Sequence, residues 1–348
     1  MQVSVVIPLY NKLHHIRRAV DSVLTQTCRD LELIVVDDGS TDGGGDVVRE
    51  ITDPRILLIT RENAGVSAAR NRGVQEASSE LVAFLDADDA WDPDFLETVL
   101  SLRNRFPQAA IWGTAYRIAR RNGVVAQARY HGQLPTSDEG GLMNYFGGQS
   151  GFSPLTPSSA MLRKNGLLAA GGFPVGVVYG EDHDTWLRLA LRFPIAWTPR
   201  VKAIVFENAA NRTDLYIYLG NYPFFESVRA FLKEDGQDHP LPAGLHEYLA
   251  WRHTGLLFSK WLAGERSVLE EIVRDCRHIK GYRLKCCWWY FLSWVPHPLV
   301  TFAWRIRRRL AGREGELPQF RSIRHTPSLR PQSPRAVLLA HRTEGCRR

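Results

Sequence analysis

The amino-acid sequence predicts an α/β protein with a doubly wound, mostly parallel sheet and a C-terminal helical extension. Short apolar runs alternate with amphipathic helical patterns through the first third of the chain, which favours parallel strands joined by right-handed crossovers. The composition agrees, since 44% hydrophobic and 23% charged residues are typical of a folded globular protein. The 348 residues are enough for one large domain with a smaller appendage.

The elements follow in order along the chain. Apolar runs bounded by turn residues predict strands at Val3–Leu9, Leu31–Val36, Ile56–Thr60 and Leu81–Leu85, then a hairpin of Ala109–Ala119 and Val124–Tyr130. Helical spacing of apolar residues predicts helices at His14–Thr27 and Asn63–Ala77, and a third beginning at Glu181. We expect Asn63 to cap the second helix and Asp92 to cap a helix that starts at Pro93.

The positive charge of the chain is concentrated in its tail. The net charge is +7, yet Arg305–Arg348 holds twelve Lys/Arg against three Asp/Glu, or +9, which leaves residues 1–304 at −2. The folded part therefore gives no indication of specific nucleic-acid binding. We divide the chain into a domain at 1–212, a helical region at 213–312, and a Pro/Arg-rich tail at 313–348 that is predicted to be disordered.

Cysteine usage and the N-terminus both indicate a cytoplasmic protein. The five cysteines show neither disulfide-framework nor metal-ligand spacing, so we expect them to be reduced. Residues Met1 to Val3 lead directly into a predicted strand, without the charged and apolar regions of a signal peptide.

A tryptophan-rich segment at 286–304 has two interpretations. Its nineteen residues contain four tryptophans and no Asp, Glu, Lys or Arg, and arginines flank it on both sides. A spanning helix needs about 20 apolar residues, and Pro296 and Pro298 would break one here. The segment is either an attachment to the anionic inner face of the cytoplasmic membrane or a buried helical hairpin.

An acidic cluster follows the predicted strand Leu81–Leu85. Asp86 and Asp88, with Asp89 beside them, lie at a strand's carboxyl end, where ligands bind in open α/β sheets. Like charges this close repel, which suggests a compensating cation, and carboxylate oxygens favour Mg²⁺ or Mn²⁺. The alternative is an acidic turn at the start of a helix.

Three further groups of polar residues follow strands or begin a helix. Pro8 fixes the backbone after the first strand, and Tyr10 offers a ring that can stack on a base. A carboxylate of the Asp37-Asp38 turn can accept the imide N–H of a uracil, although an Asx turn with a helix cap is the alternative. Arg70 suits bidentate contact with a diphosphate. The G-x-G-x-x-G dinucleotide fingerprint is absent after the first strand.

Five ordered motifs together resemble the family 2 glycosyltransferases of the GT-A fold, over roughly residues 1 to 210. The motifs are Ser4–Asn11, Val36–Asp42, Asn63–Asn71, the Asp86-x-Asp88-Asp89 cluster and Gly180–Asp182. The resemblance implies a nucleoside site at Pro8, Tyr10 and Asp38 with Asp37 beside them, supported by Arg70. It implies that Asp86 faces ribose and metal and that Asp88 is the chief metal ligand. It also implies Asp182 as the general base, with Glu181 as second choice.

An independent physical argument also favours Asp182. Inverting transfer needs a carboxylate opposite the departing nucleotide to accept the proton of the acceptor hydroxyl, and a helix N-terminus keeps such a carboxylate ionised. Acids in a first helical turn are otherwise ordinary helix-start residues. His183 is interpreted as a packing residue or as support for the site.

Two other loops bear on the site. Many relatives carry a metal-binding histidine in the stretch that corresponds to Phe206–Arg212, and this chain has none there. Gly140–Pro157 carries Tyr145, Phe146 and Phe152, whose rings suit stacking on an acceptor sugar, although a plain surface loop is the alternative.

The sequence thus predicts an inverting, metal-dependent glycosyltransferase of polysaccharide or cell-envelope glycan synthesis. It would move a sugar from a nucleoside-diphosphate donor, with UDP-sugar favoured, to a saccharide or lipid-linked acceptor. One alternative is a sugar-nucleotide pyrophosphorylase, but Pro8–Asn11 lacks the Gly-rich basic loop that such an enzyme needs. A non-enzymatic scaffold with a basic tail is the other alternative.

Overall fold

A computed structural model describes residues 2–131, 133–147, 150–177 and 180–207 of the chain. Beyond these it describes only 226–228, 230–231, 242–245, 247–249, 252, 288, 291, 294–296, 298–299 and 302. The predicted tail at 313–348 and most of the 213–312 region lie outside the described residues.

Twelve strands and six helices lie in the described residues. The strands are β1 Val3–Leu9, β2 Leu31–Asp37, β3 Ile56–Thr60, β4 Leu81–Phe84, β5 Ala90–Trp91, β6 Ile111–Ala119, β7 Val125–Gln127, β8 Tyr130–His131, β9 Gly141–Met143, β10 Ser150–Gly151, β11 Ala160–Arg163 and β12 Ile195–Phe206. The helices are α1 Leu13–Leu24, α2 Gly44–Arg49, α3 Val66–Glu76, α4 Phe95–Arg105, α5 Lys164–Ala169 and α6 Glu181–Ala190.

The main sheet has the order β3-β2-β1-β4-β11-β6-β12-β5, with β7 added beside β6 and β9 beside β12. Pairing is parallel from β3 to β4 and again between β6 and β12. β11 runs antiparallel to both of its neighbours, β4 and β6. The predicted α/β class is confirmed, and the sheet is mixed around its parallel N-terminal half.

Helices cover both faces of the sheet, as a doubly wound arrangement requires. Alternate residues of β1 point to opposite faces, so Val5 and Ile7 pack with α1 and α4 while Val6 packs with α3 and α6. Helix α3 lies very close to β1, because a Cβ placed on Gly73 would come within 2.3 Å of Val6. Glycine at this position therefore lets α3 approach the sheet.

The structure corrects two predicted helix caps. Helix α3 begins after Gly65, not Asn63, and Gly65 has the positive φ of 90° that favours glycine. Helix α4 begins after Asp94, whereas the carboxylate of Asp92 accepts hydrogen bonds from Arg117. In both cases a tertiary contact or backbone requirement outweighs the local capping preference.

The described residues beyond 212 include a small group packed on the domain. Val228, Phe231, Leu245 and Tyr248 are buried in the same core cluster as α6. The described part of the tryptophan-rich segment differs, since Trp288, Phe291, Trp294, Leu299 and Phe302 are each more than half exposed. Across the described positions, no helix has the length and apolar character needed to cross a membrane.

Candidate active site

The carboxyl ends of β1, β2 and β4 meet at one edge of the sheet. These three strands are adjacent and parallel, and the chain order changes direction between β1 and β4. Pro8, buried in β1, lies beyond the last residue of β1 that pairs with β4, which is Val6. A residue without an N–H is tolerated here because β4 has already diverged. The two strands therefore open into a crevice at the position where α/β sheets bind ligands.

The loops after β1 and β2 are tied together by side-chain hydrogen bonds. The Asn11 N–H donates to Ser40 Oγ at 3.1 Å, and the Thr41 N–H donates to Asn11 Oδ1 at 2.8 Å. Asn11 itself has a φ of +52°, which asparagine tolerates better than most residues. Asp37 accepts the Ser40 N–H, as expected for the Asx turn considered at this position.

Asp38 is buried and connects β2 to the start of α3. Its carboxylate accepts the Gly65 N–H at 2.7 Å and the Ala64 N–H at 3.1 Å, and Arg61 Nε lies 3.2 Å away. These bonds satisfy backbone donors at the entrance to α3. Tyr10, by contrast, is 45% exposed at the rim of the crevice, where its ring is accessible.

Arg70 lies at the centre of the site and bridges two acidic side chains. Its Nη2 is 2.8 Å from Asp86 and its Nη1 is 2.9 Å from Glu181. Burial disfavours the charge of this guanidinium, but Asp86 and Glu181 outweigh burial and raise the pKa of Arg70. The side chain is only 3% exposed, so its observed role is to join α3, the loop after β4 and α6.

Glu181 and Asp182 lie in the first turn of α6, which begins directly after Gly180, a residue with a positive φ of 82°. Burial, together with the charge of Asp182, raises the pKa of Glu181. Burial also raises the pKa of Asp182, while Arg70 and the His183 N–H favour its ionised form. Asp86 interacts electrostatically with Asp182, so acids from the loop after β4 and from the start of α6 share one site.

Asp88 and Asp89 point to different environments although they are neighbours. Asp88 Oδ2 is 2.9 Å from Lys12 Nζ at the rim of the site. Asp89 is buried, and its carboxylate accepts hydrogen bonds from Ser158 Oγ at 2.6 Å and from the Phe206 N–H at 3.1 Å. Ser158 Oγ also accepts the Asp86 N–H at 3.1 Å. Asp89 and Ser158 therefore fix the loop that carries Asp86 and Asp88.

The acidic loop can offer two carboxylates to a divalent ion. Within the described residues, no group of three or more His, Cys, Asp or Glu side chains is arranged to hold a metal. The polar contacts above engage one oxygen of Asp86 and one of Asp88, which leaves a second oxygen on each. Such hard oxygen donors fit Mg²⁺ or Mn²⁺, whose remaining ligands are usually water and substrate phosphates.

Sequence reasoning missed several residues of the site and misread others. Lys12 and Ser158 carry no recognisable motif, and only the fold places them beside Asp88 and Asp86. The rings of Tyr145 and Phe146, expected to face an acceptor, are each 2% exposed and belong to the core. Phe152 is 41% exposed, so it is the one ring of that group on the surface.

The sequence model described as "Glycosyl transferase family 2" matches residues 4–165. Over 100 residues the chain is 44% identical to the glycosyltransferase GlyA of Streptococcus pneumoniae, covering 28% of this chain and 14% of GlyA. It is 39% identical over 126 residues to Escherichia coli WfgD, a UDP-Glc:α-D-GlcNAc-diphosphoundecaprenol β-1,3-glucosyltransferase, covering 36% of this chain and 49% of WfgD. The chain thus spans less than two thirds of these relatives.

The fold has a counterpart among solved structures. Staphylococcus aureus TarS, crystallised with UDP-GlcNAc, superposes with a TM-score of 0.56 at 20% identity, covering 75% of this chain and 73% of the TarS chain. At this level of identity the comparison concerns the fold alone. The predicted resemblance to family 2 and the GT-A-type fold are both confirmed.

Proposed function

We propose that the chain is an inverting glycosyltransferase, because residues 4–165 match the sequence model of glycosyltransferase family 2. It moves one sugar from a nucleoside-diphosphate sugar to a saccharide or lipid-linked acceptor of the cell envelope. The observation that carries the proposal is the Arg70 bridge, which holds Glu181 and Asp86 on one guanidinium, while Arg70 and Asp86 both act electrostatically on Asp182. The domain at 1–212 would hold this site.

A UDP-sugar is the donor that the relatives favour. WfgD is named for UDP-glucose and a diphosphoundecaprenol-linked acceptor, and TarS was crystallised with UDP-GlcNAc. In this chain, the proposed stacking of Tyr10 on the base is supported by the exposure of its ring at the rim of the crevice between β1 and β4. Pro8 shapes that crevice, and Asp37 and Asp38 order the loops beside it.

Asp182 acts as the general base in this proposal. Its carboxylate accepts the proton of the acceptor hydroxyl while that oxygen forms a bond to C1 of the donor sugar. The bond from C1 to the diphosphate oxygen breaks, and its electron pair leaves with the nucleoside diphosphate. Attack on the face opposite the leaving group inverts the configuration at C1. Glu181 is held by Arg70 and so is less free to take the proton.

Asp88 and Asp86 are the proposed ligands of Mn²⁺ or Mg²⁺. When bound, the ion would neutralise charge on the departing diphosphate. Asp88 lies at the rim, with Lys12 as its observed cationic partner. The buried side chains of Asp89 and Ser158 fix the loop that carries Asp86 and Asp88 through hydrogen bonds.

We also propose that the exposed apolar residues of the 286–304 segment contact the inner face of the cytoplasmic membrane. Trp288 and Phe291 are 59% and 65% exposed, and their rings stack with centroids 6.2 Å apart. The arginines that flank this segment in the sequence are complementary to anionic lipid. Co-sedimentation with vesicles containing anionic lipid tests this, and Trp288→Ser together with Phe291→Ser should reduce binding. Equal binding by this variant would exclude the proposed surface.

The activity is tested with a panel of nucleotide sugars, measuring donor binding and metal-dependent turnover in the intact chain. Asp88→Ala should lose metal-dependent donor binding, whereas Asp182→Asn should bind donor as the parent chain does and turn over slowly. Asp21→Asn is a matched control, because Asp21 is exposed and pairs with Arg17 on the outer face of α1. If no nucleotide sugar binds or reacts, or if Asp88→Ala binds donor normally, the corresponding part of the proposal fails.

A further inference from the structure

A buried polar cluster next to Asp182 includes two residues from beyond the domain boundary expected at 212, Tyr248 and Arg252. Arg252 Nη2 lies 2.9 Å from His183 Nδ1, and Arg252 Nε lies 3.2 Å from the hydroxyl of Tyr248. The Tyr248 hydroxyl is 3.4 Å from that of Tyr145. The cluster therefore joins three parts of the chain at the start of α6.

The segment that carries Arg252 is seated firmly on the domain. The rings of Tyr145, Phe146 and Tyr248 pack together with centroids 5.4–5.6 Å apart. Gly244 has a φ of +85°, and a Cβ at this position would lie 2.7 Å from the carbonyl oxygen of Phe146. This close approach needs glycine and fixes the turn that leads towards Arg252.

The contact with Arg252 determines the state of His183. A guanidinium can only donate hydrogen bonds, so His183 Nδ1 must be the acceptor, and the ring is neutral with its proton on Nε2. Burial and the charge of Arg252 lower the pKa of His183 well below its ordinary value. The imidazole is thus a fixed, uncharged link between Arg252 and the backbone next to Asp182.

We propose that Arg252 is a positioning residue for the transfer reaction: it holds His183 at the first turn of α6 and supplies positive charge that favours the ionised carboxylate of Asp182. This inference rests on the proposed function. It means that the chain beyond residue 212 completes the active site, which the division drawn at 212 does not anticipate.

Several charged or titratable groups act on Asp182, and within the described part of the chain Arg70 and Arg252 are the cations that favour its ionised form. These groups come from α3, the loop after β4, the loop after β9, α6 itself and the C-terminal segment, and are Arg70, Asp86, Tyr145, Glu181 and Arg252. Arg70 is already paired with two acids. Removing the charge of Arg252 should therefore make Asp182 harder to ionise.

The test compares pH profiles of kcat/KM for the intact chain and for Arg252→Gln, Arg252→Met and Arg252→Lys. The two neutral variants should shift the acidic limb to higher pH by about one unit, with unchanged donor affinity. Arg252→Lys retains the positive charge but lacks the planar donor group. The acidic limb of its pH profile should therefore stay near that of the parent chain, while its kcat falls. Arg192→Gln is the matched control, because Arg192 lies over Phe231 of the same region and is not among the main electrostatic influences on Asp182.

Each possible result supports or contradicts the proposed positioning role of Arg252. An unmoved limb in folded Arg252→Gln, or an equal shift in Arg192→Gln, overturns the inference. If both neutral variants fail to fold, Arg252 is a structural residue and the inference is also wrong. If the parent chain turns over no nucleotide sugar, the proposed function fails instead, and this outcome is distinguishable because the parent profile is measured first.

Discussion

Arg70 Nη1 donates to Glu181 at 2.9 Å and so joins α3 to α6 across 111 residues of sequence. Its other terminal nitrogen holds Asp86 at 2.8 Å, so removing the guanidinium would leave two partly buried carboxylates without their cation. We expect Arg70→Leu to lower the free energy of unfolding by about 3–5 kcal/mol and to abolish turnover. Urea unfolding and donor turnover measure the two effects.

Arg72 provides the control for this substitution on the same helix. It pairs with Glu76 at the surface and is 46% exposed, so Arg72→Leu should cost about 0–1 kcal/mol. A similar loss of stability in both variants would show that the bridge of Arg70 has no special role.

The activity should depend on pH through Asp182. Burial raises the pKa of this carboxyl above its ordinary 3.8, and a general base must be ionised to accept a proton. As the pH falls through the raised pKa, the ionised fraction and kcat/KM should fall together. In Asp182→Asn the remaining activity, lower by roughly 10²- to 10⁴-fold, should lack this limb. An identical acidic limb in Asp182→Asn would assign the limb to another group.

The sequence predicts the parallel half of the sheet well, because its signals are local. The strand Ile56–Thr60 and the helix start at Glu181 lie where apolar periodicity places them. The same periodicity does not detect β11, which inserts antiparallel between β4 and β6 after a long connection. That insertion depends on contacts between distant residues, which local patterns do not contain.

In the candidate site, too, local sequence patterns predict some residues, and contacts between distant residues determine the others. The acids were predicted because carboxylates after a strand or at a helix start form visible motifs. Their partners were not, since Lys12 and Ser158 meet Asp88 and Asp86 only in the folded chain, 76 and 72 residues away in sequence. Tyr145 and Phe146 are buried, and the sequence does not predict this because an aromatic ring in a glycine-rich stretch has the same local pattern whether it is exposed or buried.

Lys12 should compete with a divalent ion for Asp88. Its ammonium lies 2.9 Å from Asp88 Oδ2, so a metal that binds this oxygen must replace the lysine contact. We expect Lys12→Gln to bind Mn²⁺ severalfold more tightly in the presence of nucleoside diphosphate, measured by calorimetry. Lys202→Gln is the control, because Lys202 pairs with Asp94 and not with Asp86 or Asp88. Weaker Mn²⁺ binding by Lys12→Gln would show that the lysine assists the metal complex.

His183 should make the folded state sensitive to acid. Its pKa in the folded chain lies well below the ordinary 6.5, whereas the unfolded chain takes up this proton as the pH falls through about 6.5. Between these two pKa values the unfolded state binds more protons, so the free energy of unfolding falls as the pH is lowered. The stabilising contribution is complete above the unfolded pKa and is lost towards the folded one.

His183→Gln removes this titration, so the free energy of unfolding should fall less steeply as the pH is lowered. Urea unfolding at several pH values between about 8 and 5 should show the difference in stability between parent and variant narrowing as the pH falls. His14→Gln, at an exposed position on α1, controls for the general effect of losing a histidine. Because the glutamine side chain can still accept a hydrogen bond from Arg252, the comparison separates the effect of protonation from the effect of losing that hydrogen bond. If the free energy of unfolding depends on pH in the same way in the parent and in His183→Gln, the buried imidazole does not resist protonation in the folded chain.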